Sequence, residues 1–523
     1  MIEPKPHPQR IPRWMGSFAR WSVGLVLALW LMLAAVWGVL HGFIVPRIGD
    51  WRPELESLAS RNLGVPVSIG SIKAFGSGVI PSFELNDVVI SDLASQQEAL
   101  RLSKVVVAVS AHSLMTLGVE QIYIDAPKLV VRRAADGKLF VAGLPIQQES
   151  GKSNDAVTDW LFSQPEIAIR HGSVQWTDEV RRAPTLELSD VDLVLRNKGW
   201  SHQLRLDATP PADWGQRFTV MGRFKEPLLS VHEGRMDRWS GQAFADFTQI
   251  DLSALGQYLD PQQWQLQQGS GAVRAWLDVQ QGQAAGLVAD VSIDALQLQW
   301  KDRPKPLQLE SLRGRLSLEH KGDYRFAAQG LSFTTGDGLH WPAGNIKARY
   351  SPSGTPEQGA LGEQGQISAD GLDIAIAAQL MKRLPISDRL QTELDAMAPA
   401  GVLHQLKWEW RGPLAAPASY KASGQVQGLS IKAQPSSEGP EEIGIPGIKG
   451  LNASFSLDQD SGQAQLSMNA AQAPLVLSTP GIFAQPDVGL DSFQAAVRWQ
   501  VRDQQIRVQG PALKFANTDT NAR

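Results

Sequence analysis

Residue types that do chemistry are present in this chain, but their spacing withholds the chemistry. Gly151-Lys152-Ser153 has the tail of a phosphate loop, yet the position five before Gly151 is Ile146, so the cradle of backbone amides is missing. The nine histidines nowhere stand at i,i+4, the spacing that places two imidazoles on one helix face around a metal. Asp190 and Asp192 form a D-x-D able in principle to hold a metal. On an alternating strand of Leu186, Leu188, Asp190 and Asp192 they share a face with apolar residues, and acids so placed more often serve a strand end or turn. No G-x-S-x-G elbow occurs, and the absence of cysteine removes disulfides, thiolate metal sites and cysteine nucleophiles. Paired carboxylates for glycoside hydrolysis need not be close in sequence and stay open. No catalytic, metal or cofactor-binding residue is assigned, and no cofactor is expected.

Tryptophan is more informative: 17 Trp stand against 5 Tyr, and Trp176, Trp276, Trp300, Trp408, Trp410 and Trp499 lie in alternating runs. Three readings fit them: core packing, an apolar lining that accepts acyl chains, or stacking on sugars, the last without a supporting polar cluster. The elements that must position them are strands. Period-two patterns recur at 83–85, 105–109, 186–188, 291–293, 296–300, 307–309, 316–318, 406–410, 455–457 and 497–501. Between Ile293 and Leu296 the apolar phase changes, which calls for a bulge or a turn. Short helices are expected at 155–162, 251–259 and, as a pair broken at Pro385 and recapped by Ser387, at 374–397. Stretches rich in Pro, Gly, Ser and Gln at 145–154, 351–366 and 434–444 read as exposed loops.

The chain has 523 residues, 43% of them apolar and 20% charged, a composition that folds. Its length suits about three or four domains or one repetitive body. With 49 basic and 53 acidic residues the net charge is -4, which offers no cationic field for nucleic acid. Residues 21–40, WSVGLVLALWLMLAAVWGVL, carry no charge and as a helix reach about 30 Å, enough to span a bilayer. Lys5, Arg10, Arg13 and Arg20 precede them against Glu3, so the N-terminus is expected in the cytoplasm and everything after about Pro46 outside it. The apolar run exceeds a signal-peptide core, and no A-x-A site follows directly, so it reads as an uncleaved anchor. Behind it Ile48, Trp51, Leu55, Leu58 and Asn62 keep helical spacing up to Gly64, a helix expected to close the end of the body that follows.

Several segments together resemble the bacterial AsmA-like envelope proteins, specifically the YhdP type. They are the N-terminal anchor, LESLASRNLGVPVSIGSI at 55–72, VVRRAADGKLFVAGL at 130–144, IAIRHGSVQWTDEVRRAPTLELSDVDLVLRN at 167–197, HQLRLDATPPADWG at 202–215 and LKWEWRG at 406–412. The resemblance implies a mainly β chain: an N-terminal transmembrane helix followed by an elongated, curved antiparallel β-sheet with an apolar concave groove and a few short helices. It divides the chain into a cytoplasmic basic segment (1–20), a signal anchor (21–40) and a periplasmic groove region (46–523) that is the front part of a longer protein. It further implies a bacterial inner-membrane protein, single-pass, with its bulk in the periplasm.

The function this implies is a lipid conduit, not an enzyme, moving phospholipid between inner and outer membranes and supporting the outer-membrane permeability barrier. Its partners would be phospholipid and the inner membrane, then the outer membrane and other envelope proteins, and no nucleic acid. Exposing a sixteen-carbon chain to water costs on the order of 13 kcal/mol at about 0.8 kcal/mol per CH₂, so a covered path must be apolar throughout. Strand alternation supplies such a path without any motif. Leu296, Leu298, Trp300, Leu406, Trp408 and Trp410 represent the expected groove lining. An assembly factor that binds envelope proteins through β surfaces and a periplasmic glycan-acting enzyme are the competing readings.

Overall fold

A computed structural model describes residues 13–522 except 40–41, 43–44, 64, 76–81, 92–97, 110–118, 143, 146–154, 228–235, 259–263, 302–305, 353–361, 382–387, 415, 437–442, 469–474, 483–484, 503–504 and 518–520. The Gly151-Lys152-Ser153 segment, Gly64, Pro385 and Ser387 lie outside the described residues. Helix α1 (Arg13–Val39) contains the apolar stretch Trp21–Val39, with mean hydropathy 2.2 and none of its described side chains buried against protein. Its length and composition suit a bilayer crossing.

The remainder is predominantly β, and the chain falls into two compact units, residues 1–209 with 221–238, and 210–220 with 239–523. In the first, a 3₁₀ turn (Val45–Trp51) leads into α2 (Arg52–Leu63). There follow β1 (Val67–Phe75), β2 (Ser82–Ser91), β3 (Glu98–Ala108), β4 (Gln121–Asp125), β5 (Lys128–Arg133), β6 (Leu139–Val141), β7 (Leu144–Pro145), α3 (Asp155–Ser163), β8 (Glu166–Asp178), β9 (Leu186–Lys198) and β10 (Ser201–Thr209). The ladder is antiparallel except at β8, which runs parallel to both β4 and β5. Register lines up Ile72, Leu85, Val105, Ile124, Ile169, Leu193 and Leu206 across seven strands. Onto this face pack Leu55, Ala59 and Leu63 of α2 with Trp160, Leu161 and Phe162 of α3. The helix behind the anchor packs on the sheet through a face offset from the anticipated one: Leu55 is kept, but Trp51 and Leu58 point to solvent.

Strand β11 (Phe218–Lys225) crosses the division between the units. The second unit continues with β12 (Ser240–Asp251), α4 (Leu252–Gly256), β13 (Trp264–Gln280), β14 (Gln283–Trp300), β15 (Leu307–Lys321), β16 (Asp323–Thr335), β17 (His340–Ser351), β18 (Gln364–Asp370), β19 (Leu372–Asp373), α5 (Ile374–Met381) and α6 (Asp388–Met397). It closes with β20 (Ala400–Arg411), β21 (Ser419–Ile431), β22 (Gly447–Asp458), β23 (Ser461–Met468), β24 (Leu475–Ser478), β25 (Asp487–Leu490), β26 (Ser492–Arg502), β27 (Gln505–Ala516) and β28 (Asn521–Ala522). Each long strand pairs antiparallel with the next, and no pairing among the described residues joins β12 to β27, so this ladder is open. The helix expected at 251–259 is described only as the single turn α4, capped by the Asp251 carboxylate accepting from the N–H of Ser253 and Ala254.

A repeated bulge bends these strands while keeping their apolar side inward. Its pattern is an apolar residue at i, positive φ at i+2 and an apolar residue at i+3. Examples are Leu188-Asp190-Val191, Ile293-Ala295-Leu296, Ala328-Gly330-Leu331, Leu403-Gln405-Leu406 and Val426-Gly428-Leu429. Ile293 and Leu296 accordingly share one buried cluster, and β14 runs straight through the phase change. Four bulge N–H groups donate to a side chain on the neighbouring strand: Gly330 to Asn345 (3.0 Å), Gln405 to Asp370 (3.1 Å), Gly428 to Asn452 (2.9 Å) and His171 to Asp192 (3.2 Å). The D-x-D is thus a bulge rather than a plain alternation, with Asp190 at φ 48° and Asp192 serving as such a staple.

Candidate functional site

In the second unit the register joins thirteen positions into one row without a polar side chain. The row reads Ala243, Leu277, Leu287, Leu318, Phe326, Ala348, Ile367, Trp408, Ala422, Leu457, Gly462, Trp499 and Val508, each directly opposite the next. Twelve inter-strand steps at about 4.8 Å give it roughly 58 Å. A second row on the same face holds Ala245, Ala275, Ala289, Leu316, Ala328, Ile346, Ala369 and Leu406. One residue along each strand, the chemistry inverts. Gln242, Asp278, Gly286, Glu319, Arg325, Arg349, Gln366, Glu409, Lys421 and Asp458 line up on the other face.

The polar face is knit by exposed ion pairs such as Arg315–Asp290 (2.5 Å) and Arg274–Asp246 (3.3 Å). The Arg315 guanidinium holds the Asp290 carboxyl below its ordinary range. Pairs this exposed contribute about 0–1 kcal/mol each, so their consequence is to keep charge off the apolar side rather than to stabilise the fold.

Across the apolar face, cover changes along the strands. Ile293, Leu296, Leu309, Phe333 and Trp341 are buried beneath Leu252 of α4 and Ile376, Ala377 and Leu380 of α5. Toward the opposite strand ends Leu287 is 40% exposed, Leu318 48% and Phe326 40%. An apolar strip is left bare beside a covered floor.

The six residues singled out from sequence all fall on this face. Leu296 is buried in the covered cluster opposite Leu309, Leu298 packs against that cluster, and Trp300 faces Trp264. Leu406 lies opposite Ala369, Trp408 opposite Ile367, and Trp410 opposite Gly365. The set therefore splits between floor and strip. Trp410 folds flat over Gly365, where a Cβ would come within 2.0 Å of Cζ2, and Trp499 covers Gly462 in the same way. Trp276 belongs instead to the polar side, where it meets Phe244 at 5.3 Å and the Arg315 guanidinium at 5.8 Å. Leu277, Leu287, Leu318 and Phe326 were missed as lining: each strand shows its own alternation, but only the register places them in one row. Among the described residues no three histidine or acidic side chains converge as a metal site would require.

The family model described as YhdP protein matches residues 9–523. The chain belongs to the YhdP family. No curated protein and no solved structure matches it. YhdP proteins are AsmA-like envelope proteins, in general not enzymes, and membership is consistent with a part in envelope lipid transport. Among the described residues one helix is long and apolar enough to cross a membrane, and β-rich units follow it, which accords with a membrane-associated YhdP protein.

Proposed function

We propose that this chain is an inner-membrane-anchored conduit that moves phospholipid between the inner and outer membranes along the apolar face of its sheet, sustaining the outer-membrane permeability barrier. Helix α1 crosses the inner membrane with its basic N-terminal segment in the cytoplasm, and residues 46–523 lie in the periplasm. The observation that carries this reading is the row from Ala243 to Val508, unbroken by any polar side chain over thirteen strands while charge is confined to the other face. A core needs no such length, and a protein-binding surface needs no such uniformity. An acyl chain does need it, because a single polar rung raises the cost of passage. Leu406, Trp408 and Trp410 line the path, and Leu296, Leu298 and Trp300 belong to its covered end. No step in passive conduction requires a catalytic group, and net direction comes from a gradient or a partner.

The test is mass spectrometry of lipids that co-purify with the full chain, against an unrelated β protein anchored by a single helix and handled identically. Enriched phospholipid at reproducible stoichiometry is expected. A folded chain carrying no more lipid than the control refutes the conduit.

A further inference from the structure

The bare strip ends in a row of different character. His320, Tyr324, Tyr350, Gly365, Trp410 and Tyr420 stand directly opposite one another across five inter-strand steps, on the apolar face and one row beyond Leu318 and Phe326. Gly365 lies under the Trp410 ring, so the surface of this row is aromatic throughout. Three of the five tyrosines in the whole chain stand here, which marks the row as something other than ordinary strand composition. His320 stacks on Tyr324 at 4.3 Å, and the Tyr350 hydroxyl donates to Glu363 at 3.2 Å. Burial beside that carboxylate raises the Tyr350 phenol above its ordinary pKa, so it stays a neutral donor. Rings with an apolar body and a polar tip collect where hydrocarbon meets water, the property that places Tyr and Trp at membrane interfaces.

Resting on the lipid-conduit reading, we infer that this aromatic row is the headgroup rim of the path: bound glycerophospholipid lies along the strands with its phosphate and ester oxygens at Tyr324 and Tyr420 and its tails directed toward the helix-covered floor. The dimensions fit. From Tyr324 at the rim to the buried Ala328 on β16 is four residues, about 13 Å at 3.3 Å each. Half the roughly 30 Å hydrocarbon core of a bilayer, the reach of one acyl layer, is about 15 Å. Beyond Ala328, which is fully buried, the face is closed, because Leu331 packs against the cluster in which Phe333 and Trp341 are buried beneath α5, so the tails have a floor and the headgroups do not. The opposite orientation would bury phosphate among Ile293, Leu296 and Phe333, where among the described residues no cation lies in the packed cluster.

The chain's lack of cysteine permits single-cysteine reporters without background. Bimane is attached at Lys321→Cys on the rim hairpin, Phe326→Cys in the strip and Leu331→Cys at the floor in the full chain. Each is incubated with phosphatidylcholine vesicles carrying either a nitroxide on the choline or bromine at the acyl terminus. The headgroup quencher is expected to act most strongly at 321 and least at 331, and the acyl-terminal quencher in the reverse order. Equal or inverted profiles overturn the orientation while leaving a lipid path intact. Quenching at no position by either probe removes the path itself and this inference with it. The double variant Tyr324→Phe, Tyr420→Phe keeps both rings and the Tyr350–Glu363 hydrogen bond, so it tests the hydroxyls apart from folding. It is expected to level the headgroup contrast, and an unchanged contrast at native circular dichroism overturns the assignment of the rim.

Discussion

Leu318→Asp separates a lipid path from a merely structural sheet face, with Ser317→Asp as its partner experiment. The two positions are adjacent on β15 and point to opposite faces: Leu318 sits between Leu287 and Phe326, Ser317 between Val288 and Ala327 with Lys347 one strand further. Leu318 is 48% exposed, so roughly half of a leucine's 1.5–3 kcal/mol of burial is at stake, about 1 kcal/mol of stability. The new carboxylate is hydrated while the strip is empty and loses that hydration when an acyl chain covers it. At about 3 kcal/mol for that desolvation, lipid occupancy falls roughly 150-fold. Ser317→Asp adds the same charge on the opposite, polar face, where no acyl chain covers it, and leaves occupancy unchanged. The assay is phospholipid per purified chain by quantitative mass spectrometry, with the urea midpoint measured on the same preparations. Equal lipid content in the two variants, or a loss in Leu318→Asp no greater than its loss of folded protein, refutes the reasoning.

Three further outcomes follow from local geometry. Gly365→Ala places a methyl within 2.0 Å of the Trp410 ring; it is expected to cost about 1–3 kcal/mol and to alter the near-ultraviolet circular dichroism as the indole is displaced. Asn452→Ala strips the Gly428 N–H of its acceptor at 2.9 Å and should lower stability by about 1–3 kcal/mol, with Asn452→Asp retaining most of it in urea titrations. His202 is buried, with Nδ1 2.8 Å from the Asn197 carboxamide oxygen and its ring edge-on to Phe162, and burial pushes its pKa below the ordinary value. The unfolded histidine takes up a proton near pH 6.5 and the folded one resists it, so stability is full above that pH. It falls as pH drops toward the depressed folded value, by at most about 1.4 kcal/mol per pH unit. Urea unfolding from pH 7.5 to 5 should show this slope, and His202→Gln should flatten it.

What could be read from the residues was the class of element and its local alternation, because both depend on neighbours two apart. The runs 296–300, 316–318 and 406–410 are strands, and the phase change at Ile293–Leu296 is the bulge it called for. The D-x-D misled for the same reason it was interesting: plain alternation puts Asp190 and Asp192 beside Leu188. The positive φ at Asp190 instead hands the inner face to Val191, which is 4% exposed. The cue was present in sequence as a three-residue step between apolar residues, the step that also marks Leu403–Leu406 and Val426–Leu429. The parallel pairing of β8 with β4 and β5 depends on a partner some 45 residues away and leaves no local mark. The aromatic rim escaped for that reason as well, its members being scattered from His320 to Tyr420 until register aligns them.

A path of this kind explains why no chemical motif accompanies it. Each rung asks only that a side chain be apolar, so Leu287, Phe326, Ala348 and Ile367 do equivalent work with different shapes. Conservative exchange among them alters packing by less than about 1.5 kcal/mol. On the proposed function a charge anywhere in the row interrupts the whole length, since an acyl chain that slides along it must pass every position. The bulges reconcile this demand with a bent sheet: a bend that merely slipped a strand by one residue would turn its apolar side to the polar face. The i to i+3 step bends the strand and restores the facing within a single turn of backbone. Stapling the freed N–H to an Asx side chain of the adjacent strand fixes that step without placing a polar group in the row, which is why Asn345, Asp370 and Asn452 recur beside bulges.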